Sequence, residues 1–296
     1  MSNRATPKTY FAAGALPTQK HFEDLIESNL NMQDEGFRRS PENGVEISKL
    51  DSRDAFISFY AKPDAQAPSW SMSGDKAGRL VFRPESAMEP VSHPVLSLAT
   101  RTSDDPDGGP PRLDPRVGIA TAAPEHELDV AGTVRMHARL GGYVPKQHRG
   151  ADGAISPDGI KALNSIRADG HWHDITEPLT GCHAFEVVAG TGSRDRGRYG
   201  MAHAIALNTY HPRYWLLDFF TPKRPIRTTS AYYDRRCDML MFRWHCEAGA
   251  YGKNAEYTLQ VKSRCAYPDG ADGKPPVIRC RITQLWLDPL MEDLAV

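Results

Sequence analysis

The residues that could do chemistry lie scattered along this sequence. His171 and His173 share one face of an extended segment, a spacing that chelates a metal when a third ligand joins, and Asp174, Cys182 and His183 are close by. Trp172 between them fits an ordinary strand end with a buried aromatic, and neither HExxH nor a CxxC pair is present. The expectation is no metal and no cofactor. Nucleophilic catalysis needs a Ser or Cys beside a base, yet no GxSxG occurs. Cys182 adjoins His183 and Cys246 adjoins His245, but neighbours on a strand point to opposite faces, so neither couple pairs. The stretch GTGSRDRGRYG, Gly190–Gly200, lacks both GK[ST] and GxGxxG and reads as a hairpin loop with Arg194, Arg196 and Arg198 in water. Two carboxylates at fixed separation could cut a polysaccharide, but Asp and Glu are too plentiful for sequence to pick a pair. The chain is read as non-enzymatic.

Aromatics offer a binding reading. Tyr214, Trp215, Tyr232 and Tyr233 stand in a region that also holds Arg213, Lys223 and Arg224. Tyr, Trp and Arg are enriched in protein interfaces, and that is the reading taken. Exposed Tyr and Trp also stack on pyranose rings, so these four are candidate surface or glycan contacts. The net charge of −1 gives no surplus of cations for nucleic acid.

The elements that would position these groups are mostly strands. One helix is expected over Pro17–Asn31, with Thr18 as cap and Phe22, Leu25, Ile26 and Leu30 on a single apolar stripe. Four apolar residues cannot make a core, so the stripe needs a partner and is a candidate oligomerisation surface. Asp54–Ala61 and Arg79–Arg83 read as strands, and Thr102–Pro115 as a loop or linker. The last part alternates with a period of two: Leu240, Phe242, Trp244 and Cys246; Tyr257, Leu259, Val261 and Cys265; Ile278, Cys280, Ile282 and Trp286. That is the habit of antiparallel strands with one wet face, and it predicts a C-terminal β-sandwich. The five cysteines form no dense, even framework and are expected to be reduced. No apolar run is long enough to cross a bilayer, and Met1–Lys8 is too polar for a secretory signal, so synthesis in the cytoplasm without membrane insertion is expected.

Arg116–Tyr143 reads RVGIATAAPEHELDVAGTVRMHARLGGY. It resembles the element VGIGTxxPxxxLDVxGxVR of tail-fibre, tail-spike and adhesin-like proteins of phages and related particles. The matching positions run from Val117, Gly118 and Ile119 through Pro124, Leu128 and Asp129 to Gly132 and Arg135. Ala120 departs from it, standing where the family usually carries glycine. PTQKHFEDLIESNLNMQDEGF and GHWHDITEPLTGCHAFEVVAG are similar to proteins encoded beside contractile injection systems. The resemblance implies a subunit of a tail fibre, spike or injection-system adaptor, forming a homotrimer and docking on other tail, baseplate or cap subunits. A receptor- or glycan-binding lectin module, engaging a cell-surface glycan, is the alternative, and a polysaccharide hydrolase the further one. The whole is read as mainly β: a helical docking segment over 1–44, fibre-like β units with a linker over 45–150, and the sandwich over 151–296, with a flexible boundary near Pro145–Ser156.

Overall fold

Short runs rich in β-branched and aromatic residues, punctuated by Gly, Pro and Asp, favour strands over helices, and the protein is mainly β. The computed structural model describes residues 5–27, 36–48, 55–85, 93–103, 111–145, 157–193, 196–212, 224–246, 251–270 and 273–291. They fall into two compact units, Met1–Arg135 and Met136–Val296.

The first unit opens with two short helices, α1 (Ala5–Tyr10) and α2 (Gln19–Glu27). They meet through an edge-on pair, Phe11 and Phe22, with ring centroids 5.2 Å apart, and a stack of Tyr10 on His21 at 3.9 Å. Helix α2 covers the middle of the expected span, whose last residues, Leu30 included, lie outside the described residues. The backbone N–H of Thr18 donates to Nδ1 of His21 at 3.2 Å, so His21 also tends the helix start. Strands β1 (Phe37–Ser40) and β2 (Gly44–Ile47) form a hairpin. Its turn places Gly44 at φ 73°, where a side chain is disfavoured.

A six-stranded sheet follows, in sequence order: β3 (Ala55–Phe59), β4 (Trp70–Gly74), β5 (Leu80–Pro84), β6 (Leu96–Ser103), β7 (Arg112–Ile119) and β8 (Leu128–Val130). Arg112–Pro115, expected to be loop, is the start of β7, because Leu113 and Val117 alternate outward and the backbone pairs with β6 from Arg112↔Ser103 to Ile119↔Leu96. The pairs are antiparallel until the last, where β8 runs parallel to β7. That parallel turn-back is the work of the VGIATAAPEHELDV segment. A Cβ on Gly118 would come 2.4 Å from Oγ of Ser97 and 2.7 Å from the Thr121 carbonyl, so only glycine lets the return loop lie this close. Oγ of Ser97 donates to that carbonyl at 2.7 Å, Arg116 donates to the Pro124 carbonyl at 3.1 Å, and the Asp129 carboxylate accepts from the Glu125 N–H at 3.0 Å.

The second unit contains α3 (Pro157–Leu163), β9 (Ile166–Arg167), β10 (His173–Asp174), β11 (Cys182–Ser193), β12 (Arg198–Thr209), β13 (Ile226–Tyr232), β14 (Leu240–His245), β15 (Thr258–Ser263) and β16 (Val277–Gln284). Five strands pair in the order β13-β12-β11-β16-β9 and three as β10-β15-β14. Phe185, Val187 and Ala189 of β11, Ala202, Ala204 and Ala206 of β12, and Ile278, Cys280 and Ile282 of β16 share one buried cluster with Leu240, Leu259 and Val261 of the smaller sheet. This is the sandwich expected from the period-two alternation. The indole N–H of Trp244 donates to the Leu207 carbonyl at 2.9 Å, tying the two layers.

Three expectations need correction here. Cys237 and Cys265 form a disulfide, so these two are not reduced; β14 and β15 pair so that Leu240 opposes Ser263, which draws the flanking cysteines together. Trp286 lies beyond the end of β16 and is exposed, leaving Ile278, Cys280 and Ile282 as the inward residues. The Gly190–Gly200 stretch is mostly strand: Gly190 and Gly192 belong to β11 and Gly200 to β12, paired through Ser193↔Arg198. The boundary expected near Pro145–Ser156 lies, but for Pro145, outside the described residues, and the second unit runs from Met136. Within it the Tyr143 N–H donates to the Ile282 carbonyl at 2.9 Å and its hydroxyl to Glu177 at 2.6 Å. No helix among the described residues is long and apolar enough to cross a membrane.

Candidate functional site

Side chains alternate across a strand, so register decides which residues share a face. In the first unit, Met72, Phe82, Leu96, Ile119 and Val130 are successive partners across β4 to β8. The next row is Gly74, Leu80, Leu98, Val117 and Leu128. Ile57 and Phe59 continue the face opposite Met72 and Trp70. One whole side of the sheet is therefore apolar, and it is open: Phe59 is 48% exposed, Trp70 43%, Leu98 40% and Leu128 64%. The other side carries Ser71, Ser73, Val81, Ser97 and Gly118, all buried. Among the described aliphatic and aromatic side chains of this unit, only Val81 and the prolines Pro94 and Pro124 are buried. Six strands about 4.8 Å apart and roughly 17 Å long present on the order of 400 Å² in projection, the size of the largest apolar patch on a typical monomer, which is often a functional surface.

The helical stripe is open too. Phe22 is 50% and Ile26 71% exposed, while Leu25 is half-buried. The sheet presents a larger open apolar surface than this stripe, mostly on residues that the sequence did not single out. The signal was present as a repeated apolar–small–apolar triplet, WSM, LSL, VGI, in three strands.

No family model and no curated protein matches this chain. Function must therefore be argued from the geometry.

The candidate chemical groups are mostly engaged in structure. His173 Nε2 lies 2.9 Å from Asp169 Oδ1, and the His171 N–H donates to the same oxygen at 2.9 Å. Burial pushes the Asp169 carboxyl up, but these hydrogen bonds and the imidazole charges outweigh it and hold the carboxyl below its usual range. Among the described residues, no three His, Cys, Asp or Glu side chains are grouped to hold a metal ion. His183 donates from Nε2 to the Thr180 carbonyl at 2.9 Å, leaving Nδ1 buried without a partner, and burial lowers its pKa. Burial, reinforced by Asp288, raises the pKa of the neighbouring Cys182 thiol, opposite to what a nucleophile needs. Arg198, expected in water, instead donates from Nε to the buried Asp238 carboxylate at 2.5 Å and from Nη1 to the Ala266 carbonyl at 3.0 Å. Its guanidinium lies 4.0 Å over the Tyr267 ring.

Of the four aromatic contact candidates, Tyr214 and Trp215 lie outside the described residues. Tyr232 and Tyr233 are exposed at the end of β13, and the Tyr233 N–H donates to the Tyr199 carbonyl at 3.0 Å. The rings of Tyr233 and Tyr199 stand perpendicular with centroids 6.3 Å apart. Tyr199 was missed from sequence, although it falls on the outward phase of β12.

Proposed function

We propose that this chain is a non-enzymatic structural or attachment subunit of a phage-tail-like particle, a tail fibre, spike or injection-system adaptor, working as a homotrimer. The observation that carries this reading is the open apolar face of the first unit's sheet. Water-exposed Trp70, Leu98, Ile119 and Leu128 on one side gain by being covered, and identical copies turned toward a common axis cover one another. The exposed stripe of α2, with Phe22 and Ile26, supports the same reading at the start of the chain. So does the resemblance of the Val117–Arg135 element to phage fibre proteins. The first unit then builds the shaft and docks on neighbouring tail, baseplate or cap subunits, while the closed second unit is displayed. Such a subunit is made in the cytoplasm and leaves the cell with its particle.

Light scattering on the purified full chain tests it. The expected native mass is three times the 32.8 kDa chain. The double substitution Leu98→Glu with Ile119→Glu places charges on the open face, and should yield single chains whose second unit keeps its near-ultraviolet signature. A wild-type protein that stays a single chain across the accessible concentration range would sink the reading.

A further inference from the structure

We infer that the outer face of the five-stranded sheet in the second unit carries a binding trough for an oligosaccharide bearing a carboxylate. The inference goes beyond the assembly reading and lies wholly within one unit. The trough follows from register. On the water-facing side, Arg279 of β16, Gly190 of β11, Met201 of β12 and Ala231 of β13 form one row across four strands, and Gly192 partners Tyr199 in the next. Two glycines two residues apart on β11 remove the side chains that would fill the hairpin end of this face. A Cβ at Gly190 would find only the Gly200 carbonyl, at 3.9 Å, so the space above it is open. At Gly192 a Cβ would strike the Tyr199 ring at 2.6 Å, which shows that this ring leans across the floor. The resulting cavity has a volume of about 900 Å³, within the ~300–1,000 Å³ range of ligand sites.

Its walls differ in chemistry. On one side stand Tyr199 and Tyr233, the latter 77% exposed, with Met201, while Tyr232, in register with Gly200, borders the trough from the opposite phase of β13. On the other are Lys274, Pro275, Pro276, Val277 and Arg279. Tyrosine rings offer flat apolar faces with a polar tip, which suits the C–H faces and hydroxyls of a pyranose. A guanidinium fork matches a carboxylate in two parallel hydrogen bonds. The floor strand β11 is paired on both sides, so a peptide could add a strand only along the outer edge of β13, beside the floor rather than on it.

The test uses the full chain with four probes: oligogalacturonate and its methyl ester, in which each carboxylate is replaced by a neutral methyl ester, and sialyllactose and lactose. Binding is read by saturation-transfer NMR and titration calorimetry. At least one acidic probe should bind saturably and its neutral counterpart about tenfold more weakly, the size of one lost charged hydrogen bond. Gly190→Val puts a strand-favouring side chain into the open floor and should abolish binding with an unchanged melting temperature. Should that variant fold poorly, Tyr233→Ala, at an exposed position, serves the same purpose and should weaken binding severalfold. Arg279→Gln should erase the preference for the acidic probe. Equal binding of charged and neutral probes overturns the carboxylate assignment. Binding that survives both floor and wall variants, or no saturable binding of any probe, overturns the site. Neither result touches the native mass, so this inference and the trimer fail separately.

Discussion

The two sheets of this protein obey one rule and end differently. Each alternates with period two, and each gathers its large apolar residues on one side. In the second unit β11 turns Phe185, Val187 and Ala189 toward a second layer built by β10, β14 and β15, and all three are buried. In the first unit Trp70, Leu98, Ile119 and Leu128 occupy the equivalent phase and stay in contact with water. Alternation therefore fixes which face is apolar, but the cover comes from whatever the chain places opposite. A sheet left open in this way is half of a layered fold, and in the proposed assembly another copy supplies the missing half.

The largest test of that contrast compares one phenylalanine from each face. Phe185→Ala removes a fully buried ring and should cost about 3–5 kcal/mol, independent of protein concentration. Phe82→Ala removes a half-buried ring from the open face. Its effect should depend on protein concentration if the proposed assembly holds, because association would then cover the rest of the ring. Urea denaturation at two widely separated concentrations reads both. Equal and concentration-independent losses would erase the distinction between a closed and an open sheet.

The second unit was the more legible in sequence, and the reason is physical. Long strands such as β11 and β12 show alternation over many residues, and the buried residues Leu240, Tyr257, Leu259, Val261, Ile278, Cys280 and Ile282 could be assigned to inward phases without a structure. In the first unit β3, β4, β5 and β8 are short, and in the longer strands too serine or glycine at the inward positions hides the pattern: Ser73, Ser97 and Gly118 look like turn residues yet line a buried face. The trough was half legible. Tyr232 and Tyr233 could be flagged by type, but Tyr199, Arg279 and the glycine floor come together only through register. The disulfide was invisible, since Cys237 and Cys265 are 28 residues apart and meet only because β14 and β15 pair.

That crosslink sharpens the comparison on the closed side. Closing a loop of this length restrains the unfolded chain by about 2–4 kcal/mol, so replacing both residues, Cys237→Ser with Cys265→Ser, should lower the stability of the second unit by that amount and leave the native mass unchanged. Thiol titration of the unfolded, unreduced protein should find Cys182, Cys246 and Cys280 alone reactive. Reactivity of all five cysteines would remove the crosslink from the account.

The smallest effect belongs to the open side, and its sign is the informative part. Ala120 sits at φ 57°, directly after β7, where the backbone swings into the loop that returns as β8. The left-handed region costs a residue with a Cβ about 1–2 kcal/mol, whereas glycine enters it freely. Glycine also gains freedom in the unfolded chain, which takes back about 0.4–1 kcal/mol. Ala120→Gly should therefore stabilise the first unit by up to about 1.6 kcal/mol, a gain unusual for a change to glycine inside a structured segment. The resembling element in fibre proteins usually carries glycine at this position, which fits a turn that demands a positive φ. Thermal melting of the single variant decides the matter. A lowered melting temperature would mean that the return loop is held in another conformation, and the close approach of Thr121 to Ser97 and Gly118 would then need another explanation.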